Sequence, residues 1–296
     1  MDAQTRFDVV LDTDAYNEID DQFAIAYLLR SHDVLHVCAL YAAPFFNDNS
    51  CSAQDGMYKS YDEILKVLSL AGRSDLARCV FHGSENYLPD EYTPVFSDAA
   101  QHLADLAGKY TPEQPLYVIA IGAITNVASA ILLKPENAKN MVVIWLGGNS
   151  YDFHDTKEFN MYQDIAAARV VLSSDAYVVQ LPCNGVVSEF RTTKPELAYW
   201  LQGKNALCDY LYENTLNAAA RYAAWPWSRA IWDVTAVAYL LNEHNRFMMV
   251  RKQKTRLPDY AFHYAEELDK EMSYVYYIHR DALFLDLFTK LSQKTM

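Results

Sequence analysis

Basic residues are scarce in this chain. Lys and Arg total 25 against 38 Asp and Glu, a net charge of −13 over 296 residues. Phosphate recognition needs a basic surface, so nucleic acid is excluded as a partner, whereas a neutral ligand or a cation is not. Five cysteines (38, 51, 79, 183 and 208) show no C-x-x-C spacing. The odd number and the chain length indicate reduced thiols in a cytoplasmic protein. The opening MDAQTRFD is polar where a signal peptide would be apolar. No apolar run reaches the roughly 18 residues of a membrane span, so no membrane association is expected. N-x-S/T sites, polar linkers and internal repeats are also missing. The expectation is one cytoplasmic domain over 1–296.

The chain does hold apolar residues (51%) and tyrosine (22 residues). The rings serve a core and subunit interface, or some of them line a pocket for a flat ligand. FDVVLDT (7–13), VLHVCALYA (34–42), CVFHG (79–83), PLYVIAIG (115–122), MVVIWLGGN (141–149) and AYVVQLP (176–182) read as strands. Between them, 20–31, 52–72, 98–110, 123–134 and 164–174 read as helices, the second ended by Gly72. After about residue 194 the chain turns more helical, with a last strand at 274–279 and a closing helix at 281–291. Alternating strands and helices predict an open, mainly parallel sheet flanked by helices, with a Rossmann-like core. Ligands in such sheets sit at the carboxyl ends of the strands.

Directly behind the first strand, in DTDAYNEIDD (12–21), four aspartates and Glu18 crowd together. The helix dipole favours Asp20 and Asp21 by only about 0.3–1 kcal/mol each, too little to offset the crowding. A divalent cation would offset it, and carboxylates are the ligands of hard cations. The EF-hand pattern fails, because Asn17 stands where its glycine belongs and Phe23 where its glutamate belongs. A phosphatase-type D-x-D-x-(T/V) loop fails at Tyr16. A helix-capping acidic loop without metal is the plainer alternative. Further polar groups stand at strand exits and helix entries: Glu158 and Asn160 in KEFNMYQD, the glycine loop of AIGAITNVA, and Asp233 in RAIWDVTAVAYLL. Each alone reads as a cap; together they point to one site.

In order along the chain, these segments resemble the motifs of the inosine–uridine-type nucleoside hydrolases. DTDAYNEIDDQFAIA is similar to D-x-D-P-G-x-D-D-A-x-A, IGAITNVA to T-G-x-L-T-N-x-A, and WLGGN to the M-G-G strand end. EFNMYQDIAAA is similar to E-F-N-x-x-x-D-P-E-A-A, WDVTAVAYLL to H-D-P-x-A-V-A-x-x-L, and DALFLDLFTKL to the closing helix. The resemblance implies a Ca²⁺-dependent N-ribohydrolase that cleaves a nucleoside to ribose and free base. It implies Asp14, Asp21, Asp233 and the carbonyl of Ile121 as metal ligands, and Asp14 as general base toward the attacking water. It also implies Asp20, Glu158, Asn160 and Asn47 as contacts to the sugar, and a homodimer or homotetramer. A carboxylate-rich wall suits the positive charge of an oxocarbenium-like transition state.

Three departures stand out. DAYNEIDD carries two residues more than D-P-G-x-D-D and lacks its proline and glycine, so the loop must bulge; Glu18 reads as a solvated loop charge. Trp232 replaces the family's histidine; indole cannot protonate a leaving base but can stack on a purine, or simply exclude water. No histidine-bearing base loop follows residue 83, and His82 reads as structural. ARYAAWPWSRAIWD (220–233) is the stretch to rebuild the base side, with Arg221, Tyr222, Trp225, Trp227 and Arg229 as candidates. A riboside-binding protein without turnover, or a hydrolase of a different ribosyl compound, fits the same sugar site.

Overall fold

Strand β1 (Phe7–Thr13) sends Val9 and Leu11 into one apolar layer and Val10 into another. That alternation sets the plan of the molecule: a sheet with a buried layer on each face. The structure, a computed structural model, describes residues 6–222 and 226–293, the side chain of Tyr222 excepted. Trp225 and the first five residues lie outside the described residues.

After β1 come α1 (Asp20–Arg30), β2 (Leu35–Ala42), α2 (Ala53–Leu70), β3 (Val80–His82), α3 (Asp98–Ala107), β4 (Leu116–Ala120) and α4 (Thr125–Leu133). Then follow β5 (Met141–Leu146), α5 (Phe159–Gln163), α6 (Ile165–Ser173), β6 (Tyr177–Leu181), β7 (Arg191–Thr193), α7 (Lys194–Leu201) and α8 (Ala206–Tyr222). The chain closes with β8 (Ser228–Ala230), α9 (Val234–Tyr239), β9 (Met248–Pro258), β10 (Tyr264–Ile278) and α10 (Arg280–Ser292). The main sheet runs β3-β2-β1-β4-β5-β6-β10-β9; β7 and β8 form a separate two-stranded ribbon. All pairings in the main sheet are parallel except β9 with β10.

The chain moves from β1 outward to β2 and β3, then returns to add β4 on the other side of β1. The strand order reverses there, and the loops after β1 and β4 diverge to leave a crevice. Helix α1 follows β1 and is buried along ten of its eleven residues, Arg30 excepted. Such a helix is held from all sides rather than by one stripe. Its first turn therefore presents Asp20 and Asp21 from a fixed base. Helix α2 starts under Ser52, whose hydroxyl accepts from the Asp55 amide at 3.0 Å.

The parallel core matches the sequence reading. The C-terminal part does not: the expected strand 274–279 is only the end of β10, and β9 was not expected at all. Both strands are rich in charge; β10 is exposed through most of 265–271, and β9 at Arg251, Lys252 and Lys254. Ion pairs Lys254–Asp269 (2.9 Å) and Arg256–Glu267 (3.5 Å) join them across the hairpin. Cross-strand charges stabilise such a ribbon without the apolar alternation that a sequence reading relies on.

Candidate active site

The crevice at the strand reversal is a cavity of about 320 Å³. Asp20, Asp21 and Asp233 line it, with Ile121, Glu158, Asn160, Asn47 and Trp232. Of the other residues expected from the sequence, Asp14 and Trp227 are not in this lining, Arg221 and Arg229 line an adjoining cavity, and Trp225 and the Tyr222 side chain lie outside the described residues. Trp227 packs against the apolar layer instead. Asp14 is fully buried next to the lining acids.

One carboxylate oxygen from each of Asp20, Asp21 and Asp233 lies within 4.8 Å of the others. At an effective dielectric near 20, two unit charges at that separation repel by about 3–4 kcal/mol. Three such pairs approach the whole stability of a domain, on the order of 5–15 kcal/mol. Without a cation these acids must hold protons. Burial pushes Asp21 up to about 7, against the hydrogen bond from the Thr13 hydroxyl at 2.5 Å. Burial, then the neighbouring acids, holds Asp14, Asp20 and Asp233 well above the usual carboxylate range.

Asp14 is the most exposed to this conflict, because both its oxygens are buried and neither has a hydrogen-bond partner. Buried polar atoms are almost always paired, so this acid lacks something to bind. The donor set is all oxygen and anionic, which fits a hard divalent cation. Gly122, in the loop after β4, permits the arrangement: a Cβ there would lie 3.0 Å from the Asp14 carboxyl and 3.2 Å from the Ala43 Cβ.

Asp12 faces the opposite side of β1 and serves the frame. It accepts from the Asn126 amide at 2.8 Å, while the Asn126 carbonyl oxygen accepts from the Ser84 amide and hydroxyl at 2.7 and 2.9 Å. The T-N of AITNVA thus ties α4 to β1. Asp164 also serves the frame, accepting from Thr125 at 2.6 Å and from the Ala167 amide at 2.9 Å.

Glu158 caps α5 and accepts from the amides of Gly148, Asn160 and Met161 at 2.8, 2.9 and 3.2 Å. Burial nevertheless raises its pKa. Gly148 holds φ +73°, which turns its N–H toward that carboxylate. The Asn160 amide nitrogen donates to the carbonyls of Ile121 (3.2 Å) and Leu146 (2.9 Å), which fixes the side chain at the cavity wall. Asn47 donates to Asn17 Oδ1 at 2.5 Å and accepts from the Asn49 amide at 2.8 Å.

A second cavity of about 440 Å³ adjoins the first and shares Asn17, Glu18 and Asn47 with it. Lys66, Arg221 and Arg229 supply cations to its wall. Glu18 pairs with Arg229 at 2.5 Å, so the extra residues of the first loop form the partition between the cavities. Gln22 holds that loop by donating to the carbonyls of Ala15 (2.7 Å) and Glu18 (3.2 Å). Arg221 reaches Asn49 at 3.5 Å. His82 stacks on Tyr61 with ring centres 3.8 Å apart.

Sequence reasoning missed Asn17, Lys157, Cys183 and Asn184, which also line the first cavity. Asn17 and Lys157 each stood inside a quoted motif, but nothing in their spacing marked a side chain turned inward. Cys183 and Asn184 follow β6, and the rule that strand exits carry ligands was the available signal.

The family profile described as inosine-uridine preferring nucleoside hydrolase matches residues 9–272. A probable uridine nucleosidase 2 of Arabidopsis thaliana is 25% identical over 226 residues, covering 69% of this chain and 67% of that protein. A solved plant nucleoside hydrolase superposes with a TM-score of 0.75 at 19% identity, over 97% of this chain and 99% of its own. A purine-preferring ribonucleoside hydrolase of Gardnerella vaginalis gives 0.75 at 16% identity, over 96% and 98%. Likeness at such identities carries the fold; the profile, spanning the acid loop, both glycine loops and Asp233, carries the family. The chain is an enzyme of the nucleoside hydrolase class and belongs to the inosine-uridine preferring nucleoside hydrolase family.

Proposed function

We propose that the protein hydrolyses the N-glycosidic bond of a ribonucleoside, with calcium held in the acid cleft and Asp14 as general base. The observation that carries this is the buried group Asp20, Asp21 and Asp233, with the unpartnered Asp14 beside it. Asp14, Asp21, Asp233 and the Ile121 carbonyl hold the ion. When bound, calcium supplies the charge that lets these acids ionise, and it polarises water and the sugar diol. Asp14, once ionised, takes the proton of the attacking water. The remaining carboxylates stabilise positive charge developing on the ribose.

Asp20 accepts from a ribose hydroxyl. Glu158, fixed by three backbone amides, and Asn160, through its side-chain oxygen, accept from others. Asn47 adds a further contact at the rim. Trp232 stacks on the leaving base, which favours purines.

The test is ribose release from a panel of purine and pyrimidine nucleosides, with calcium and after its removal by chelation. Asp14→Asn should lower turnover by about three orders of magnitude or more, since general-base catalysis alone contributes 10²–10⁴-fold. Turnover that survives in this variant, or that ignores chelation, defeats the proposal.

One observation favours a second reading, a hydrolase of a larger ribosyl compound. The 440 Å³ cavity opens beyond the acid cleft and gives room past a nucleobase. Ribosyl compounds with extended leaving groups belong on the same panel; their preferential hydrolysis selects this reading. Binding without any product would leave a riboside-binding protein.

A further inference from the structure

At the other end of the sheet, three side chains from β1 and β2 meet on one face. Asp8 Oδ1 lies 2.7 Å from His36 Nδ1, and Cys38 Sγ lies 3.8 Å from the same nitrogen. One donor atom from each of the three lies within 4.8 Å of the others. Tyr110 supports the group from outside: its hydroxyl donates to Asp8 Oδ2 at 3.0 Å and sits 3.8 Å from Cys38 Sγ.

The strand register places the thiol. β1 and β2 pair Asp8 with His36 and Val9 with Val37, then slip so that Val10 pairs with Ala39. A regular register would seat Cys38 opposite Val10, in the buried layer. The slip gives that seat to Ala39, which is fully buried, and leaves Cys38 half-buried beside His36. Bulges of this kind re-aim a side chain.

We propose that Asp8, His36 and Cys38 form a second metal site, independent of the acid cleft, for a borderline divalent cation of the zinc type. The donor set is the argument. The acid cluster of the cleft offers only oxygen, which suits hard cations; this group offers one oxygen, one imidazole nitrogen and one sulfur, a set zinc accepts. Tetrahedral zinc with ordinary bond lengths holds its nitrogen and sulfur ligands about 3.5 Å apart, so the thiol needs to move only a few tenths of an ångström. The Asp8–His36 pair must open by about half an ångström for the same geometry. Both side chains are partly exposed, which permits that shift and leaves the fourth position to water. Burial holds the Cys38 thiol above its ordinary range, so the free site carries a proton on sulfur. Metal binding forms the metal–sulfur bond and releases that proton to solvent.

The experiment is a cobalt(II) titration of the intact protein in excess calcium, followed by visible absorption. One equivalent should bring up a thiolate-to-cobalt charge-transfer band with the d–d bands of a tetrahedral ion. Cys38→Ser should abolish the charge-transfer band, and His36→Ala should weaken cobalt binding at least about tenfold. Zinc should also slow alkylation of Cys38, mapped by mass spectrometry, while exposed Cys51 reacts unchanged. A wild-type protein without the band, or a band that persists in Cys38→Ser, overturns the proposal. Cobalt on the cleft carboxylates gives no thiolate band, and a band from Cys183 in the cleft lining would survive Cys38→Ser, so failure of the calcium reading leaves this outcome unaffected. Ribose release by Cys38→Ser should match the wild type.

Discussion

The two adjoining cavities are built in opposite ways. The inner floor is made of side chains that solvent does not reach, each set by a short step from a strand end: Asp14 after β1, Ile121 and Gly122 after β4, and Asp20 and Asp21 on a helix buried all round. The outer chamber is walled by amides, tyrosines and ion pairs on exposed segments, and its partition is a pair whose Glu18 side chain is 42% exposed. A floor of this kind tolerates no displacement, because its atoms have nowhere to go. A wall of this kind can be rebuilt without touching the floor. Under the proposed function, the difference makes sugar chemistry and leaving-group choice separable.

The comparison is tested most severely at Gly122. Gly122→Ala forces a methyl against the Asp14 carboxyl and the Ala43 side chain. An ångström of misplacement at a reacting group costs about 10²-fold, so kcat should fall by that order while the thermal transition persists. A kcat unchanged by this substitution would mean the floor is not rigid. Trp232→Ala comes next: loss of a base–ring stack of about 1–3 kcal/mol should lower kcat/KM by roughly tenfold to a hundredfold, more for purines than for pyrimidines. Equal losses for both classes would make Trp232 a wall and not a stacking partner.

Arg229→Ala should do less. Exposed ion pairs contribute about 0–1 kcal/mol, so KM for the common nucleosides should shift less than about fivefold, with the larger shift for extended leaving groups. A collapse of kcat here would join the two regions that the structure separates. The smallest effect concerns neither region. Burial lowers Lys270 from 10.5 to about 8, while its ammonium donates to the carbonyls of Leu172 (3.2 Å) and Ser174 (2.5 Å). Between about pH 8 and 10.5 the unfolded chain holds a proton at this position that the folded chain has shed. Stability from this group therefore rises with pH across that window and is lost as pH falls through about 8. Denaturation midpoints of Lys270→Met should show a flatter pH dependence there than the wild type. Activity should keep its own profile, set by the floor.

The floor was legible in the sequence because its residues lie in short runs at strand ends, where the strand–loop–helix pattern fixes their address. Asp20 and Asp21 could be placed from DDQFAIAYLL alone. The partnership of Asn17 with Asn47 could not, since thirty residues separate them and only the loop's bulge brings them together. Trp227 could not be placed for a related reason: an aromatic next to Pro226 has no periodicity to say which way it faces, and it packs half-buried against the core. The β9–β10 hairpin was hidden because solvent reaches consecutive residues on both faces, Arg251 and Lys252 in β9 and 265–267 in β10, so charge replaces the alternation that marks a half-buried strand.

That hairpin also decides how the sheet ends. An unpaired strand edge is a template on which another chain can add a strand. One border here is β3, only three residues long. The other is β9, which carries Arg251, Lys252, Lys254 and Arg256 along its length. A short strand offers too few amides to pair, and a row of cations repels a second copy of itself. Neither border invites extension by an added strand, so the continuous sheet ends within each chain.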